Sequence, residues 1–313
     1  VILARVTLKR LRPYLRNVSW ADVPYAAQPG LTPYQVRAAD GSETGLFTGY
    51  FEPHLKGSFT KTARYCYPVY APPPDLSDVP HVTRGEVLRG ALDNQRLELL
   101  YVDDAVDLFF AHVQGSAAVQ LEDGSMHDKG GDRRPQKNSG SLCERSPHEI
   151  NAASEHIIRI GFAAKSGHPY VAIGKALKDR GALQLPITMH HIKAWLRANP
   201  EQQEQVFASN PSFIFFKLMN GEGPIGASGE VLIPEQSLAV DDTIWPYGLS
   251  VVVATFDPVD NTKPWVRFMR TADKGSAIKG VIRGDIYFGS GAAAGARAGS
   301  MNASGKLWVL LPD

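Results

Sequence analysis

Three aspartates in the last quarter of the chain stand where short apolar runs break: Asp241 in SLAVDDTIWPYG, Asp273 in TADKGSAIKG and Asp285 in RGDIYFGSG. An aspartate in such a place commonly closes a turn or caps an element. Asp285 has a setting that suits a second use. It follows Gly284 and leads into Ile286, Tyr287 and Phe288, so a strand there holds its carboxyl partly out of water beside aromatic side chains. Desolvation disfavours the charged form and raises a carboxyl pKa, which lets the group deliver a proton near neutrality. Cleaving a glycosidic bond calls for such a donor, because the leaving oxygen is poor and positive charge develops at the anomeric carbon.

Other chemistries find less support. His190 and His191 lack a third ligand at a recognisable spacing, so no metal is expected. The segment GSGAAAGARAG has no following βαβ unit or acidic ribose reader, and no GxSxG elbow occurs, so no cofactor is expected either. The two cysteines, Cys66 and Cys143, form no CxxC, and their spacing leaves pairing open. With 33 Lys+Arg against 32 Asp+Glu and no long basic run, the chain has no electrostatic footprint of a nucleic-acid binder. No apolar run approaches the roughly 18 to 20 residues of a membrane span. The chain starts at Val1 without a signal-like stretch, so a targeting or lipid-anchor segment is expected to be missing from it.

The elements that must position these aspartates are mostly short strands, with Gly 29 and Pro 22 punctuating β-branched and aromatic runs. TGLFTGYFEPHLKG reads as a strand ending at Pro53, with Phe47, Gly49 and Phe51 on one face and a close backbone approach at Gly49. LSVVVATF, WVRFM, GVIRGDIYFG and KLWVLLP are further strands, SFIFFKL is a buried one, and AAAGARAG is a helix among them. Their density suggests a compact barrel. Leu3 to Leu15 is expected to be helical with an early stop at Pro13. YPVYAPPPDL is expected to run extended without a regular element. Thr83 opens a capping box ahead of a short helix through Leu92, and Asp103 is expected to cap a helix bearing Val106, Phe109, Phe110 and Val113 as a core stripe. Helices are also expected from near Thr188 and again from Pro200. The stretch from Glu122 to Glu155 is polar and aperiodic, and reads as a long loop whose Arg133, Arg134 and Lys137 are most simply solvated.

At these residues the chain resembles the membrane-bound lytic transglycosylase A family, bacterial enzymes that cut peptidoglycan. The resemblance runs in ordered blocks: TGYFEPHLKGS, YPVY, VDLFFAHVQGS, IRIGFAAKSGHPYVAIG, NPSFIFFKL, GPIGA with SLAVDDTIWPYG, and ADKGSAIKGVIRGDIYFGSGAAAGARAG through LWVLLP. It implies a mainly β, two-domain fold with some helices. Residues 1–55 and 224–313 would form a double-psi β-barrel, and residues 56–223 an inserted smaller β-barrel-like domain, with a substrate groove between the two and the polar stretch of about 122–155 inside the insert. The resemblance further implies non-hydrolytic cleavage of the β-1,4 bond between N-acetylmuramic acid and N-acetylglucosamine, giving 1,6-anhydromuramoyl ends.

On the same resemblance Asp285 matches the single catalytic acid, which would then act as base, while Asp241 and Asp273 support it. Thr48, Tyr50, Gln114, Ser116, Lys165, His168 and Tyr170 match groove positions, and their hydroxyls, amides and rings suit sugars. Two departures stand out: the Ala run of AAAGARAG lacks a carboxylate common in the family, and the neighbouring carboxylate of SLAVDD competes with Asp241. The partners implied are peptidoglycan strands, with other cell-wall enzymes left open for the insertion. The location implied is the periplasm, on the outer membrane of a Gram-negative bacterium through a lipid anchor that this chain does not carry. A glycoside hydrolase on the same barrel and a non-catalytic peptidoglycan-binding scaffold are the alternatives.

Overall fold

A computed structural model describes residues 11–76, 80–122, 157–184, 187–221 and 223–313. The chain divides into two units, Val1–Glu52 with Glu222–Asp313, and Pro53–Gly221. The first unit opens with β1 (Leu15–Asn17), β2 (Leu31–Val36) and β3 (Gly45–Glu52). The second holds β4 (His54–Ser58), β5 (Tyr67–Tyr70), helix α1 (Arg84–Leu88), β6 (Glu98–Val102), α2 (Ala105–Gln114), β7 (Ser116–Leu121) and β8 (Ile157–Lys165). It continues through α3 (Ile173–Asp179), α4 (Met189–Ala198), α5 (Gln203–Ala208) and β9 (Ile214–Met219). The first unit then resumes with β10 (Ser237–Val240), β11 (Ser250–Phe256), β12 (Pro264–Lys274), β13 (Arg283–Ser290), α6 (Gly291–Ser300) and β14 (Asn302–Pro312).

In the first unit the strands bond in the order β1-β2-β14-β11-β12-β10-β13-β3, and β3 also pairs with β14. That extra pairing closes β14, β11, β12, β10, β13 and β3 into a barrel and leaves no free edge among them. Both β10–β12 and β13–β3 are parallel. The alternation of β3 explains its placement: Phe47 and Phe51 are buried, while Leu46 is exposed and Thr48 partly so. On β13, Gly284, Ile286 and Phe288 are buried, and Arg283 and Asp285 alternate with them on the other face. Strands β11 and β14 are covered on both sides. Val251, Val253 and Val309 are fully buried, and Val252, Trp308 and Leu310 of the opposite face pack with Val23 and its neighbours Val18, Trp20 and Leu31.

The second unit is a six-stranded sheet ordered β5-β6-β4-β7-β8-β9. Leu55, Leu100, Val119, Ile160 and Phe216 form its core. The stripe of α2 packs elsewhere, as Val106, Phe109 and Phe110 meet Leu177, Leu196, Val206 and Phe207 of the other helices. Both Thr83 and Thr188 close complete capping boxes.

Several expectations are corrected. Tyr67–Tyr70 of the proline-rich stretch is a regular strand, paired antiparallel with β6. Pro68 is tolerated because β5 lies at the sheet edge, where a missing N–H costs no ladder bond. Helix α2 is capped by Asp104, whose Oδ1 accepts from the Asp107 amide at 2.9 Å, and not by Asp103, which meets Arg64 at 3.4 Å instead. The helix after Thr83 ends at Leu88, short of Leu92. Of the helix expected over Leu3 to Leu15, residues before 11 lie outside the described residues; Arg12–Tyr14 is a 3-10 turn begun by Pro13, and Leu15 already enters β1. The polar stretch beyond Glu122, with Arg133, Arg134, Lys137 and Cys143, also lies outside the described residues. Cys66 is disulfide-bonded.

Gly49 shows the close approach its place in β3 suggested. A Cβ there would lie 2.7 Å from the Phe288 ring and 2.8 Å from the Cα of Ala298 on α6. Gly49→Ala is therefore expected to destabilise the protein by about 1–3 kcal/mol through overpacking. Urea unfolding measures it, and an unchanged midpoint would show that α6 can retreat freely.

Candidate active site

Parallel pairing of β13 with β3 sets Asp285 opposite Thr48 and Tyr287 opposite Tyr50, so all four side chains share one face. Thr48 Oγ1 donates to Asp285 Oδ1 at 2.5 Å. Arg283, two residues before Asp285 and on the same face, donates from Nη2 to Thr48 Oγ1 at 2.8 Å. Its Nη1 reaches the carbonyls of Gly284 at 2.5 Å and Leu46 at 3.3 Å. Shielding of the carboxyl from water pushes Asp285 up to about 6, against the Thr48 hydrogen bond and the Arg283 charge, and with added repulsion from Asp273.

Asp273 lies at the end of β12. Tyr50 Oη donates to its Oδ2 at 3.0 Å, and the Ala227 amide donates to Oδ1 at 2.9 Å. Burial raises the Asp273 carboxyl above its usual range in spite of these donors. The Tyr50 hydroxyl is itself raised by burial and by the Asp273 charge, so it stays a donor. Its ring stands 5.3 Å from that of Tyr287.

Asp241 follows β10 and is buried, but its environment is the reverse. It accepts from Thr243 Oγ1 at 2.7 Å, the Gly280 amide at 2.9 Å and Lys279 Nζ at 3.2 Å. Burial alone would raise its pKa; these donors outweigh it and hold the carboxyl down at about 2. Asp241 thus clamps the turn that leads into β13. The adjacent Asp242 points to Lys274 at 2.9 Å and is more exposed.

The other candidates lie in the second unit. Gln114 ends α2, Ser116 begins β7 opposite Gly161, and Lys165 ends β8 opposite Ile214, which brings the three to one end of that sheet. Gln114 and Ser116 are partly exposed and Lys165 and Tyr170 exposed. His168 Nε2 lies 3.2 Å from the carbonyl of His81 and donates to it. Among the described residues no group of three or more His, Cys, Asp or Glu is placed to hold a metal ion.

Arg283 is the site residue that the sequence reading passed over. Its signal was available: Arg and Asp two apart on a strand project from the same face. GVIRGDIYFG reads as a strand, but an arginine two residues from an acid gains a role only when Thr48, far away in sequence, lies beside both.

Comparison with known proteins follows the same division. The model of the MltA specific insert domain matches residues 46–133 and 148–217, and that of the 3D domain matches residues 236–311. Membrane-bound lytic murein transglycosylase A of Escherichia coli K12 is 32% identical over 296 residues, covering 92% of this chain and 72% of that protein. The crystal structure of MltA from Neisseria gonorrhoeae superposes with a TM-score of 0.71 at 34% identity, over 90% of this chain and 76% of the other. E. coli MltA with bound chitohexaose gives 0.74 at 31% identity, over 90% and 76%. With both domain models matched in order and more than nine-tenths of its length aligned, the chain belongs to the family of membrane-bound lytic murein transglycosylase A.

Proposed function

We propose that this protein is a peptidoglycan lytic transglycosylase that breaks the β-1,4 bond between N-acetylmuramic acid and N-acetylglucosamine without water. The observation that carries the reading is the Asp285 carboxyl, desolvated and poised at about 6 on a face shared with Thr48 and Tyr50. Its relatives bear the transglycosylase name, and one of them holds a chitohexaose. Thr48 donates to Oδ1, so that oxygen acts as acceptor and the proton of the neutral acid sits on Oδ2. Oδ2 gives this proton to the glycosidic oxygen as the bond from C1 of the muramoyl residue breaks. The carboxylate then takes the proton of the muramoyl 6-hydroxyl while O6 attacks C1, closing the 1,6-anhydro ring. One residue serves both halves, and no water enters the product.

Asp273 holds Tyr50 against this face, and Asp241 sets the approach of β13. Gln114, Ser116, Lys165, His168 and Tyr170 are proposed as contacts to ring hydroxyls, acetamido groups and sugar faces. The membrane-bound relatives support a periplasmic place at the outer membrane, reached through a lipid anchor. No helix among the described residues is long and apolar enough to cross a membrane.

Asp285→Asn is expected to lower release of anhydromuropeptides from purified sacculi by about 100-fold or more while circular dichroism stays native. Retained turnover would remove Asp285 from the role of acid. Mass spectrometry of the wild-type product separates the chemistries, since a hydrolase leaves a reducing end heavier by one water and a binding scaffold leaves no product.

The acid must be protonated in the free enzyme, so kcat/KM is expected to fall as pH rises through about 6. A flat profile from pH 5 to 8 would contradict the reading. Stability reports the same group independently. Because folding raises its pKa from 3.8 to about 6, the native state is favoured below the unfolded value and progressively penalised as pH rises between the two. Asp285→Asn lacks that penalty. It is expected to be more stable than wild type by about 2–3 kcal/mol above pH 7, and by little at pH 4, in urea unfolding.

A further inference from the structure

Thr48 carries a hydroxyl that can turn freely about its Cβ–Oγ1 bond, yet the proton logic of the site requires its hydrogen to point at Asp285. A hydroxyl that accepts from a fixed donor has its remaining hydrogen directed elsewhere, and Arg283 Nη2 is that donor at 2.8 Å. The guanidinium does not swing either. Nη1 is held by the carbonyls of Gly284 and Leu46, one from each strand of the parallel pair, so the fork spans β13 and β3. We propose that Arg283 is the positioning residue of this site: by holding the Thr48 hydroxyl toward Oδ1 of Asp285, it selects Oδ2 as the oxygen that carries the transferable proton.

The inference rests on the transglycosylase reading for its chemistry, but its geometry concerns only three side chains. Three of the five N–H groups of the guanidinium are spent inside the strand pair, on Thr48 Oγ1 and the carbonyls of Gly284 and Leu46, so its plane is fixed by the protein itself. It is also a source of positive charge, and burial lowers its own pKa while Asp285 supports it. The groups that act on Asp285 are few. Arg283 lies on its own strand, Asp273 at the end of β12, and Tyr50 with Thr48 on β3; the β10 residue opposite is Ala239. Helix α6, packed on the same strands, carries Arg297, but that guanidinium is engaged by Glu235 at 2.6 Å over the Phe288 ring.

The test uses Arg283→Met and Arg283→Lys. Methionine removes both charge and fork. It is expected to lower kcat by about 10- to 100-fold with KM within about threefold of wild type, because proton transfer loses alignment while sugar contacts stay in place. The alkaline limb of the kcat/KM profile is expected to move to higher pH, since a nearby positive charge that favoured the carboxylate is gone. Lysine keeps the charge but cannot serve Thr48 and two carbonyls at once, so it should return the limb toward its wild-type position and recover kcat only in part. A Met variant with native circular dichroism, unchanged kcat and an unmoved limb would overturn the proposal and leave Arg283 as a strand tie. A readout free of turnover distinguishes this from failure of the transglycosylase reading. The upper edge of the pH window over which Asp285→Asn gains stability should move upward in the Met background, with the lower edge fixed by the unfolded chain, even if no anhydro product is ever formed. An unmoved window would refute the coupling between the two side chains, whatever the reaction.

Discussion

A carboxyl kept away from water at the wall of a barrel is unfavourable in its charged form, and most of the architecture around Asp285 answers to that constraint. Among the described residues no direct ion pair neutralises the group; such a pair would pull its pKa down and spoil it as a donor. It receives one short hydrogen bond from a neutral hydroxyl, and the nearest cation acts on it across that hydroxyl. The two effects are smaller than desolvation, so the carboxyl settles near 6. Asp241 makes the comparison within one unit. It is the less accessible of the two, but a lysine, a backbone amide and a threonine converge on it and leave it at about 2. The same side chain is a clamp in one place and a titrating acid in the other, and the difference lies in how strongly each is desolvated and in the number and charge of donors supplied by the local turn.

That environment depends on register. In a parallel pair a slip by one residue would turn Asp285 toward the core and bring Gly284 to the open face. Small residues guard against it: a Cβ on Gly284 would lie 2.8 Å from Leu238 and 2.9 Å from Phe47. Gly49 does the same for α6 on the neighbouring strand. Side chains with no chemistry of their own thus decide which face Asp285 takes.

Much of this was legible in the residues. The alternation of Leu46 to Phe51, the capping box at Thr83, the helix start near Thr188 and the strand density of the last third all follow from local physics, because each signal and its partner lie within a few positions. Ordered blocks of family resemblance added the two-domain plan. What stayed hidden depends on partners far away in sequence. Thr48 and Asp285 are 237 residues apart, and no period or propensity pairs them. Tyr67–Tyr70 looked irregular because a proline is forbidden in a central strand, whereas the edge location that permits it is a tertiary fact. The step from Asp103 to Asp104 as cap turns on which carboxyl Arg64 engages, again a distant choice. Arg283 belongs with these: it shares a strand face with Asp285, but the hydroxyl it holds is on Thr48, 235 residues away.

The barrel closes only when β14 bonds to β3, the last strand to one of the first. During synthesis Thr48 and Tyr50 leave the ribosome long before Asp285, and the whole of Pro53–Gly221 is made in between. A chain stopped anywhere short of β13 carries half of the proposed proton relay and none of its acid. The acid is therefore the last part of the proposed relay to be made, and no stretch of the chain that ends before β13 can place it at the barrel wall.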